Sequence, residues 1–571
     1  MGKNVDIARV EAALQAIADR AREFETRYAG DIEAVHPEYR ESAKNLVHYM
    51  ALRKTDIREL QDDLAALGLS SLGRAEHNVM ASIRAVQKAL GKMMAGPDAL
   101  LHPVSDAPDL KSRFADQHRE AILGGVDGER EVGIMVTLPS EAASDDVLVR
   151  EMVQAGMNVA RINCAHDDAD TWKDMAANVR KASADAGVDC RIVMDLAGPK
   201  LRTGDLQPGP KVVHIRPRRG PKGRIIAPRR IRLIPDDIVW AGTKVAVIPV
   251  SRECIELAHE GDQIRFRDTR GKKRRFDVVQ KDDKGLVVET YQGAYIETGT
   301  KLRLIRKAEG EKLRYVVGEL PAIDRPLLLR PGDILHLDRD STPGARAVED
   351  EDGYVIEPAH ISCRQPEVFD YVSEGDRISL NDGKITGIVR EVDEDRLIAE
   401  IGKAKPTGSR LRADRGINFP DSDIRLPGLT KADKACLPFI IEHADAISLS
   451  FVRRPADVTA LHDELDRLDD HEHGIIIKIE TQKGFRKLPK IMLRAMRRYP
   501  AAVMIARGDL AVECGWERLA ELQEEILWFC EAAQLPVIWA TQVLEGTAKK
   551  GLPSRAELSD AALSQRADCV M

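Results

Sequence analysis

The sequence is poor in aromatic residues and has no paired cysteine motif. Phe, Tyr and Trp together make up 4% of the 571 residues, and the eight cysteines are scattered without a Cys-x-x-Cys pair. This spacing argues against a disulfide scaffold and against a zinc ribbon, and it favours a reducing compartment.

Long apolar runs and an excess of positive charge are also missing. No run approaches the ~18 apolar residues of a membrane span, and the N-terminus shows neither an apolar signal core nor a myristoylation signal. With 86 Lys and Arg against 93 Asp and Glu, the net charge is −7, so no general attraction to nucleic acid or anionic membrane is expected. These absences predict a cytoplasmic protein without a membrane or nucleic-acid partner.

The N-terminal part of the chain has a helical pattern. Apolar residues recur at three- and four-residue spacing from residue 4 to about residue 95, which predicts amphipathic helices. Pro97, Pro103 and Pro108 then interrupt the pattern. We therefore expect an N-terminal helical domain over residues 1–125, with a packing or oligomerisation role and no chemistry of its own.

Eight short apolar runs separated by helical stretches begin after Val132. Such alternation is typical of parallel strands with crossover helices. The runs lie at 133–138, 158–162, 190–195, 445–450, 475–480, 502–506, 536–541 and 567–571. They predict an α/β fold, a (β/α)8 TIM barrel built from residues 126–204 and 420–571, with its active site at the C-terminal ends of the strands.

An insertion over residues 205–419 separates the third run from the fourth. It contains a repeat, since EGDQIRFRD at 260–268 resembles EGDRISLND at 374–382, and TGTKLR at 298–303 resembles TGSRLR at 407–412. We therefore expect an inserted all-β domain of two tandem β-barrel modules, at about 205–310 and 320–419.

Two stretches of this insertion, 216–232 and 270–275, are locally basic. A nucleic-acid or polyanion patch is one interpretation of such stretches. Charged edge strands and loops are the commoner explanation, and we favour it here.

The run IIIKIE at 475–480 carries two charges on one side of a predicted strand. Period-two alternation puts Lys478 and Glu480 on the same face. A charge in an apolar strand is costly to bury unless it is paired or binds a ligand, so this pair indicates a site at the barrel mouth. The alternative is a structural ion pair inside the barrel.

The next run ends in the sequence ARGDL, where a strand gives way to a helix. Gly508 lets an anion approach the N–H groups of the new helix, and Asp509 is a hard oxygen ligand. Glu480 and Asp509 could hold one Mg²⁺ or Mn²⁺ from adjacent strands, with waters and substrate oxygens completing the coordination. Asp509 as a helix N-cap is the alternative.

Other strand ends supply further polar side chains. They include Arg161, Asn163, Asp195, Arg202, Ser450, Arg453 and Thr541. Arginines, a lysine, a carboxylate pair and hydroxyl groups at one mouth indicate an anionic, phosphorylated substrate.

Seven motifs in this order resemble those of the pyruvate kinase family. They are RINCAH at 161–166, DLAGPKLR at 195–202, SFVR at 450–453, KIE at 478–480, ARGDL at 506–510, ATQ at 540–542 and SRAE at 554–557. The resemblance covers roughly residues 132–205 and 416–571. Asn381-Asp382-Gly383 also resembles the family's mobile lid motif, which makes the insertion an enlarged lid domain.

The resemblance implies phosphoryl transfer from phosphoenolpyruvate to ADP, giving pyruvate and ATP with Mg²⁺ or Mn²⁺. Catalysis would rest on Lys478, which stabilises the moving phosphoryl group, on Arg161, which holds that group, and on Thr541, which helps to deliver a proton. The implied substrate-binding residues are Arg161, Ser450, Lys478, Gly508, Asp509 and Thr541, and the implied nucleotide-binding residues are Asn163, His166, Arg202 and Asp382. Glu480 and Asp509 would be the metal ligands.

Two positions depart from the family's potassium site. Ala165 stands where the family has a Ser ligand, and Lys200 stands where potassium-dependent members carry Glu. An ammonium can supply the charge that the ion would bring. We therefore expect Lys200 to substitute for the monovalent cation and activity not to require K⁺.

Two other functions stay open. One is a carbon–carbon lyase or aldolase that uses a magnesium-stabilised pyruvate enolate, and the other is an inactive relative that binds metabolites or a partner. A homo-oligomer through the barrel or the N-terminal helices is also left open. Because the sequence stops at Met571, where the family continues, we expect neither an eighth helix nor the family's regulatory C-terminal domain.

Overall fold

The computed structural model describes residues 5–95, 113–126, 130–238, 246–323 and 325–571. The chain divides into two units. The larger unit comprises residues 1–202, 365–393 and 416–571, and the smaller unit comprises residues 203–364 and 394–415.

Eight parallel strands close into a barrel in the larger unit, and each strand pairs with the next one along the barrel. Counted in chain order, they are Gly133–Thr137, Val159–Asn163, Arg191–Asp195, Ala446–Leu449, Gly474–Ile479, Ala501–Ala506, Val537–Ala540 and Cys569–Val570. The fifth and sixth strands are buried at every position, which explains why their residues are apolar apart from Lys478. The predicted (β/α)8 barrel is confirmed.

Helices connect the barrel strands. Their bounds are Asp146–Gln154, Ala169–Ala186, Lys431–His443, Pro455–Arg467, Gln482–Arg486, Leu488–Ala495, Arg507–Cys514, Leu519–Ala533, Glu545–Lys550 and Arg555–Ser564. Local capping fixes several of their ends. Asp168, for example, accepts a hydrogen bond from the Thr171 N–H at 2.9 Å, and Gly187 ends the same helix in the left-handed conformation.

The predicted N-terminal helices are present and belong to the same unit as the barrel. They are Ile7–Arg27, Ala29–Glu33, Arg40–Arg53, Arg58–Ala66, Val79–Ala95 and Arg113–Leu123. Hydrogen bonds join them to the barrel: the Ala501 N–H donates to the Tyr39 hydroxyl at 2.7 Å, and Asn45 Nδ2 donates to the Ala532 carbonyl at 2.9 Å.

The last of these helices packs against the inside of the barrel. Ile122 and Leu123 are buried in one cluster with inward-facing residues of the strands, among them Met135, Val159 and Ile476. Gly474, at the start of the fifth strand, is so close that an added Cβ would lie 3.1 Å from Ile122. Apolar packing therefore fills this end of the barrel and leaves the polar groups to the opposite, C-terminal end.

The smaller unit is built mainly of β-strands around its own apolar core. Its largest sheet has seven strands in the order Lys312–Val316, Lys301–Ile305, Gln263–Arg267, Lys273–Asp282, Gly285–Thr290, Arg229–Pro235 and Ala246–Val250. Its other strands are Val212–Ile215, Arg218–Arg219, Ile225–Ala227, Ala294–Glu297, Leu327–Leu329, Ile334–Asp338, Val348–Glu349, Val355–Glu357, Ala359–Ser362, Arg396–Lys403 and Ser409–Leu411, with one helix at Arg252–Leu257.

Three further strands, Arg377–Leu380, Ile385–Val392 and Ile417–Asn418, belong to the larger unit. The α/β class with a barrel is confirmed, whereas the predicted domain boundaries and the two-module division stay predictions. Within the described ranges, no helix is both long enough and apolar enough to cross a bilayer.

Candidate active site

The Lys478 ammonium is the centre of the polar cluster at the barrel mouth. Lys478 Nζ lies 2.8 Å from Ser450 Oγ, 3.1 Å from Asp195 Oδ2 and 3.2 Å from Glu480 Oε1. These groups come from the ends of the third, fourth and fifth strands, and the lysine is only 8% exposed. The barrel therefore fixes one buried cation among three oxygen-bearing side chains.

Charge pairing keeps this lysine protonated. Burial opposes the charged form, but the carboxylates of Asp195 and Glu480 outweigh it and raise the pKa of Lys478. Burial alone would raise the pKa of Asp195, yet Lys478 and Arg161 lower it. The Lys478–Asp195 pair is therefore a true ion pair in the buried site.

The Glu480 carboxylate is buried, and its charged form is therefore costly. Burial raises its pKa, the carboxylates of Asp509 and Asp195 raise it further, and Lys478 opposes them. The backbone N–H of Phe451 donates to the other oxygen of Glu480. A cation bound beside Glu480 and Asp509 would favour the charged form of Glu480.

Hard oxygen donors are the chemistry that Mg²⁺ and Mn²⁺ prefer, so Glu480 and Asp509 fit such an ion. In the described part of the chain, no group of three or more His, Cys, Asp or Glu side chains is arranged to hold a metal. A divalent ion here would need oxygen ligands from water or substrate as well as the two carboxylates.

Arg161 lies at the edge of the cluster, where two strand ends hold it. Its guanidinium pairs with Asp195, and its Nη1 donates to Thr137 Oγ1 at 2.9 Å. Thr137 ends the first strand and was missed from the sequence, where only its place at a strand end could have indicated it.

The helix Arg507–Cys514 begins directly after the sixth strand and has no side-chain N-cap. Its first N–H groups therefore lack a capping side chain. The space beside Gly508 is open, because an added Cβ would meet no atom within 4 Å. Asp509 is not the N-cap of this helix; its Oδ1 lies 2.9 Å from Lys200 Nζ.

Thr541 follows the seventh strand and is exposed. Arg507 holds this segment, because its Nε donates to the Ala540 carbonyl at 2.7 Å and its Nη2 donates to the Thr541 carbonyl. Arg507 also pairs with Asp560. The arginine thus anchors the loop that carries Thr541 beside the start of the helix.

The four residues predicted to bind nucleotide lie on segments around the same mouth. Asn163 pairs in register with Asp195, and His166 follows it with an exposed side chain. The Arg202 N–H donates to Gln365 Oε1 at 3.3 Å. Asp382 is exposed at a φ of 55°, close to Gly416 and the Lys200 side chain.

A cavity of about 330 Å³ opens beside the cluster, with walls that include Lys200, Phe451, Arg453 and Glu513. Glu513 is buried, and its Oε1 accepts a hydrogen bond from Asn418 Nδ2 at 2.8 Å. Burial raises the pKa of Glu513 from 4.5 to about 7; the bond from Asn418 lowers it, and Asp509 raises it.

Replacing Glu513 should change how stability depends on pH. Since its pKa is raised in the folded state, the folded protein binds a proton that the unfolded chain releases between about pH 4.5 and 7. Stability should therefore fall as pH rises through that window, by about 1–3 kcal/mol from this group. We expect Glu513→Gln to remove this fall in urea unfolding measured across the window.

Glu517→Gln is the matched control, since Glu517 is exposed and follows the same helix. It should leave the pH dependence of unfolding unchanged. An unaltered slope in the Glu513→Gln protein would contradict the raised pKa.

The family model and the similar proteins found by comparison carry the same description. Residues 129–225 and 347–571 match the family model described as pyruvate kinase, barrel domain. Pyruvate kinase PKLR of Rattus norvegicus is 36% identical over 203 residues, which are 35% of this chain and 34% of that protein. A pyruvate kinase of Mycobacterium tuberculosis is 26% identical over 430 residues, 75% of this chain and 62% of that one.

The chain thus spans about a third of the length of the rat PKLR protein and of its human counterpart. Among solved structures, a pyruvate kinase from Cryptosporidium parvum aligns with a TM-score of 0.50 at 19% identity. The alignment covers 79% of this chain and 67% of that one, and it supports the fold.

Proposed function

This chain belongs to the pyruvate kinase family, and on that premise we propose that it transfers the phosphoryl group of phosphoenolpyruvate to ADP, giving pyruvate and ATP. The observation that carries the proposal is the Lys478 ammonium, held by Ser450, Asp195 and Glu480 at the barrel mouth. Phosphoryl transfer depends mainly on positioned positive charge, and a buried, fixed ammonium meets that need without reorganisation.

One lysine and one arginine, Lys478 and Arg161, act on the phosphoryl group in different ways. Lys478 stabilises the oxygen that becomes negative when the bond to phosphorus breaks and the enolate forms. Arg161, aligned by Thr137 and Asp195, holds the phosphoryl oxygens. Ser450 orients Lys478 through its 2.8 Å hydrogen bond.

The substrate carboxylate binds at the start of the helix Arg507–Cys514. The N–H groups of Gly508 and Asp509 donate to it there, and the open space beside Gly508 admits it. Thr541, on the neighbouring loop, helps to deliver the proton that converts the enolate to pyruvate, through its hydroxyl or a water bound to it.

Glu480 and Asp509 hold a Mg²⁺ or Mn²⁺ ion in this proposal, and both provide hard oxygen donors. When bound, the ion neutralises charge on the substrate oxygens. Asn163, His166, Arg202 and Asp382 form the nucleotide side of the site.

Lys200 takes the place of a monovalent cation in our proposal. Its ammonium lies 2.9 Å and 3.3 Å from the two carboxylate oxygens of Asp509. It also lies 5.5 Å from the centre of the Phe451 ring. A tethered positive charge thus stands beside the metal-binding carboxylate, and the Ser ligand of the family's potassium site is absent at Ala165.

Activity should therefore respond little to potassium. We expect pyruvate formation from phosphoenolpyruvate, ADP and Mg²⁺ to change less than about twofold when KCl replaces choline chloride at equal ionic strength. In an Ala165→Ser/Lys200→Glu double variant, turnover should fall at least about tenfold without potassium and recover when potassium is added. A wild type that needs K⁺ would refute the role of Lys200 and leave the reaction itself intact.

The same assay tests the kinase against the other two functions. No pyruvate from the wild type, together with no binding of ADP, would refute the kinase and leave the lyase or the inactive relative. A homo-oligomer and a cytoplasmic location stay predictions.

A further inference from the structure

Four arginines form a row across the seven-stranded sheet of the smaller unit. Arg303 lies directly opposite Arg314 on one side and Arg265 on the other, and Arg265 lies opposite Arg275 on the next strand. Side chains directly opposite one another on antiparallel strands share a face, with Cβ atoms about 4.5–5.5 Å apart. Because neighbouring strands are about 4.8 Å apart, the row crosses about 14 Å of sheet.

Four more cations lie on the same face, each two residues along a strand from a member of the row. They are Arg267, Lys273, Lys301 and Lys312, and all eight cationic residues are exposed. The alternating residues, such as Ile264, Phe266 and Leu304, are buried in the core of the unit. We name these five arginines and three lysines the cationic face.

Few acidic groups compensate these charges. Across the described ranges, a single ion pair involves the eight residues, between Arg275 and Asp277 at 3.6 Å. Arg265 and Arg267 donate instead to the neutral oxygens of Gln263 and Gly271. Like charges directly opposite one another destabilise a sheet, so folding alone does not account for the row.

The cationic face also lies outside the segment that matches the barrel family. The family match ends at residue 225 and resumes at residue 347, and all eight residues fall between these positions. The chain as a whole carries a net charge of −7, so this concentration of positive charge is local.

We propose that the cationic face binds the phosphate backbone of nucleic acid without base preference. Arginine predominates on it, and a guanidinium binds phosphate oxygens through two parallel hydrogen bonds. All eight of its residues are cationic, so contacts to phosphates would dominate binding. The face is charged rather than apolar, which favours binding of a polyanion over insertion into lipid.

The test uses the full chain and a fluorescein-labelled single-stranded oligonucleotide of mixed sequence. Anisotropy is followed at increasing KCl, with phosphoenolpyruvate and Mg²⁺ saturating so that the barrel mouth is occupied. We expect a dissociation constant of about 10⁻⁶–10⁻⁴ M near physiological salt. In an Arg265→Gln/Arg303→Gln/Arg314→Gln variant, affinity should fall at least about tenfold, and the log–log salt slope should become shallower by about 2.

A control variant that removes the same number of positive charges can be made in the basic stretch at 216–232. Arg218, Arg219 and Arg229 are exposed, lie in the same unit and stand outside the cationic face. The Arg218→Gln/Arg219→Gln/Arg229→Gln variant should bind within about threefold of wild type. An equal loss in both triple variants would overturn the assignment to the cationic face.

Thermal unfolding checks that the first variant folds. Its midpoint should stay equal to or above that of the wild type, because like charges no longer face one another. Binding that does not weaken with salt, or no binding of the oligonucleotide, would overturn the proposal. So would binding only to phosphatidylserine–phosphatidylcholine vesicles. None of these readouts depends on pyruvate formation.

Discussion

The Lys478→Met variant is expected to form pyruvate at least about a thousandfold more slowly than the wild type. Methionine keeps an unbranched side chain, one atom shorter, but removes the charge that lies 2.8–3.2 Å from Ser450, Asp195 and Glu480. Removing one preorganised hydrogen-bond donor already costs about a hundredfold to a thousandfold, and Lys478 supplies a full charge in a buried site. The measurement is turnover in a coupled pyruvate assay at saturating substrates.

Loss of the fold must be separated from loss of chemistry. The substitution leaves two buried carboxylates with less compensation, which should lower the free energy of unfolding by at most about 3–5 kcal/mol. Circular dichroism and a thermal melt of the variant show whether it is folded at the assay temperature. Ser450→Ala, which removes only one hydrogen bond from Lys478, should cost about tenfold in turnover.

Lys434→Met provides the matched lysine control. Lys434 pairs with Glu464 at 3.0 Å on the outer helix Lys431–His443, and its side chain is 47% exposed. This variant should keep turnover within about twofold of the wild type, because exposed ion pairs contribute little. A folded Lys478→Met protein that loses less than about tenfold would contradict the proposed role of Lys478.

Glu480→Gln and Asp509→Asn are expected to weaken divalent-metal binding, each by at least about tenfold. Both substitutions preserve shape and remove the negative charge of a proposed ligand. Direct Mn²⁺ binding, followed by electron paramagnetic resonance, reports the effect without catalysis. The Mg²⁺ concentration at half-maximal activity should rise in parallel in each variant that retains activity.

Stability distinguishes metal binding from a structural role for Glu480. Its pKa is raised by burial and by Asp509, so its charged form is costly in the absence of metal. The free energy of unfolding of Glu480→Gln should therefore be no lower than that of the metal-free wild type.

Glu513→Gln is the matched control for metal binding. Glu513 is a second buried carboxylate beside the site, and its replacement should leave Mn²⁺ affinity within about threefold of the wild type. Unchanged Mn²⁺ binding in both Glu480→Gln and Asp509→Asn would refute the assignment.

Much of the barrel could be predicted from the sequence because its strands are buried on both faces. The fifth and sixth strands are buried at all six positions, and such strands read as apolar runs bounded by polar residues. The alternation within IIIKIE also placed Lys478 and Glu480 on one side of a strand. Local periodicity is enough for these inferences, because successive side chains of a strand point to opposite faces of the sheet.

The partners of the site residues could not be predicted in this way. Lys200 and Asp509 are 309 residues apart, Lys478 and Asp195 are 283 apart, and Arg161 pairs with Thr137 on the adjacent first strand. The pKa of Glu513 likewise depends on the tertiary structure, because burial raises it and the hydrogen bond from Asn418, 95 residues away, lowers it. Each contact joins residues that are distant in the sequence and depends on the tertiary structure.

The sequence by itself determined the order of the barrel strands, the helical N-terminal region and the polar residues at the strand ends. Only the tertiary structure decided which of these residues touch and how Arg265, Arg275, Arg303 and Arg314 align. Alternation along one strand shows on which face of the sheet a residue lies. Which residues of two strands lie opposite one another depends on the hydrogen-bond register, which the packing of the buried side chains selects. For that reason the sequence favours charged edge strands or loops at 270–275, whereas the folded sheet includes part of this stretch in the cationic face.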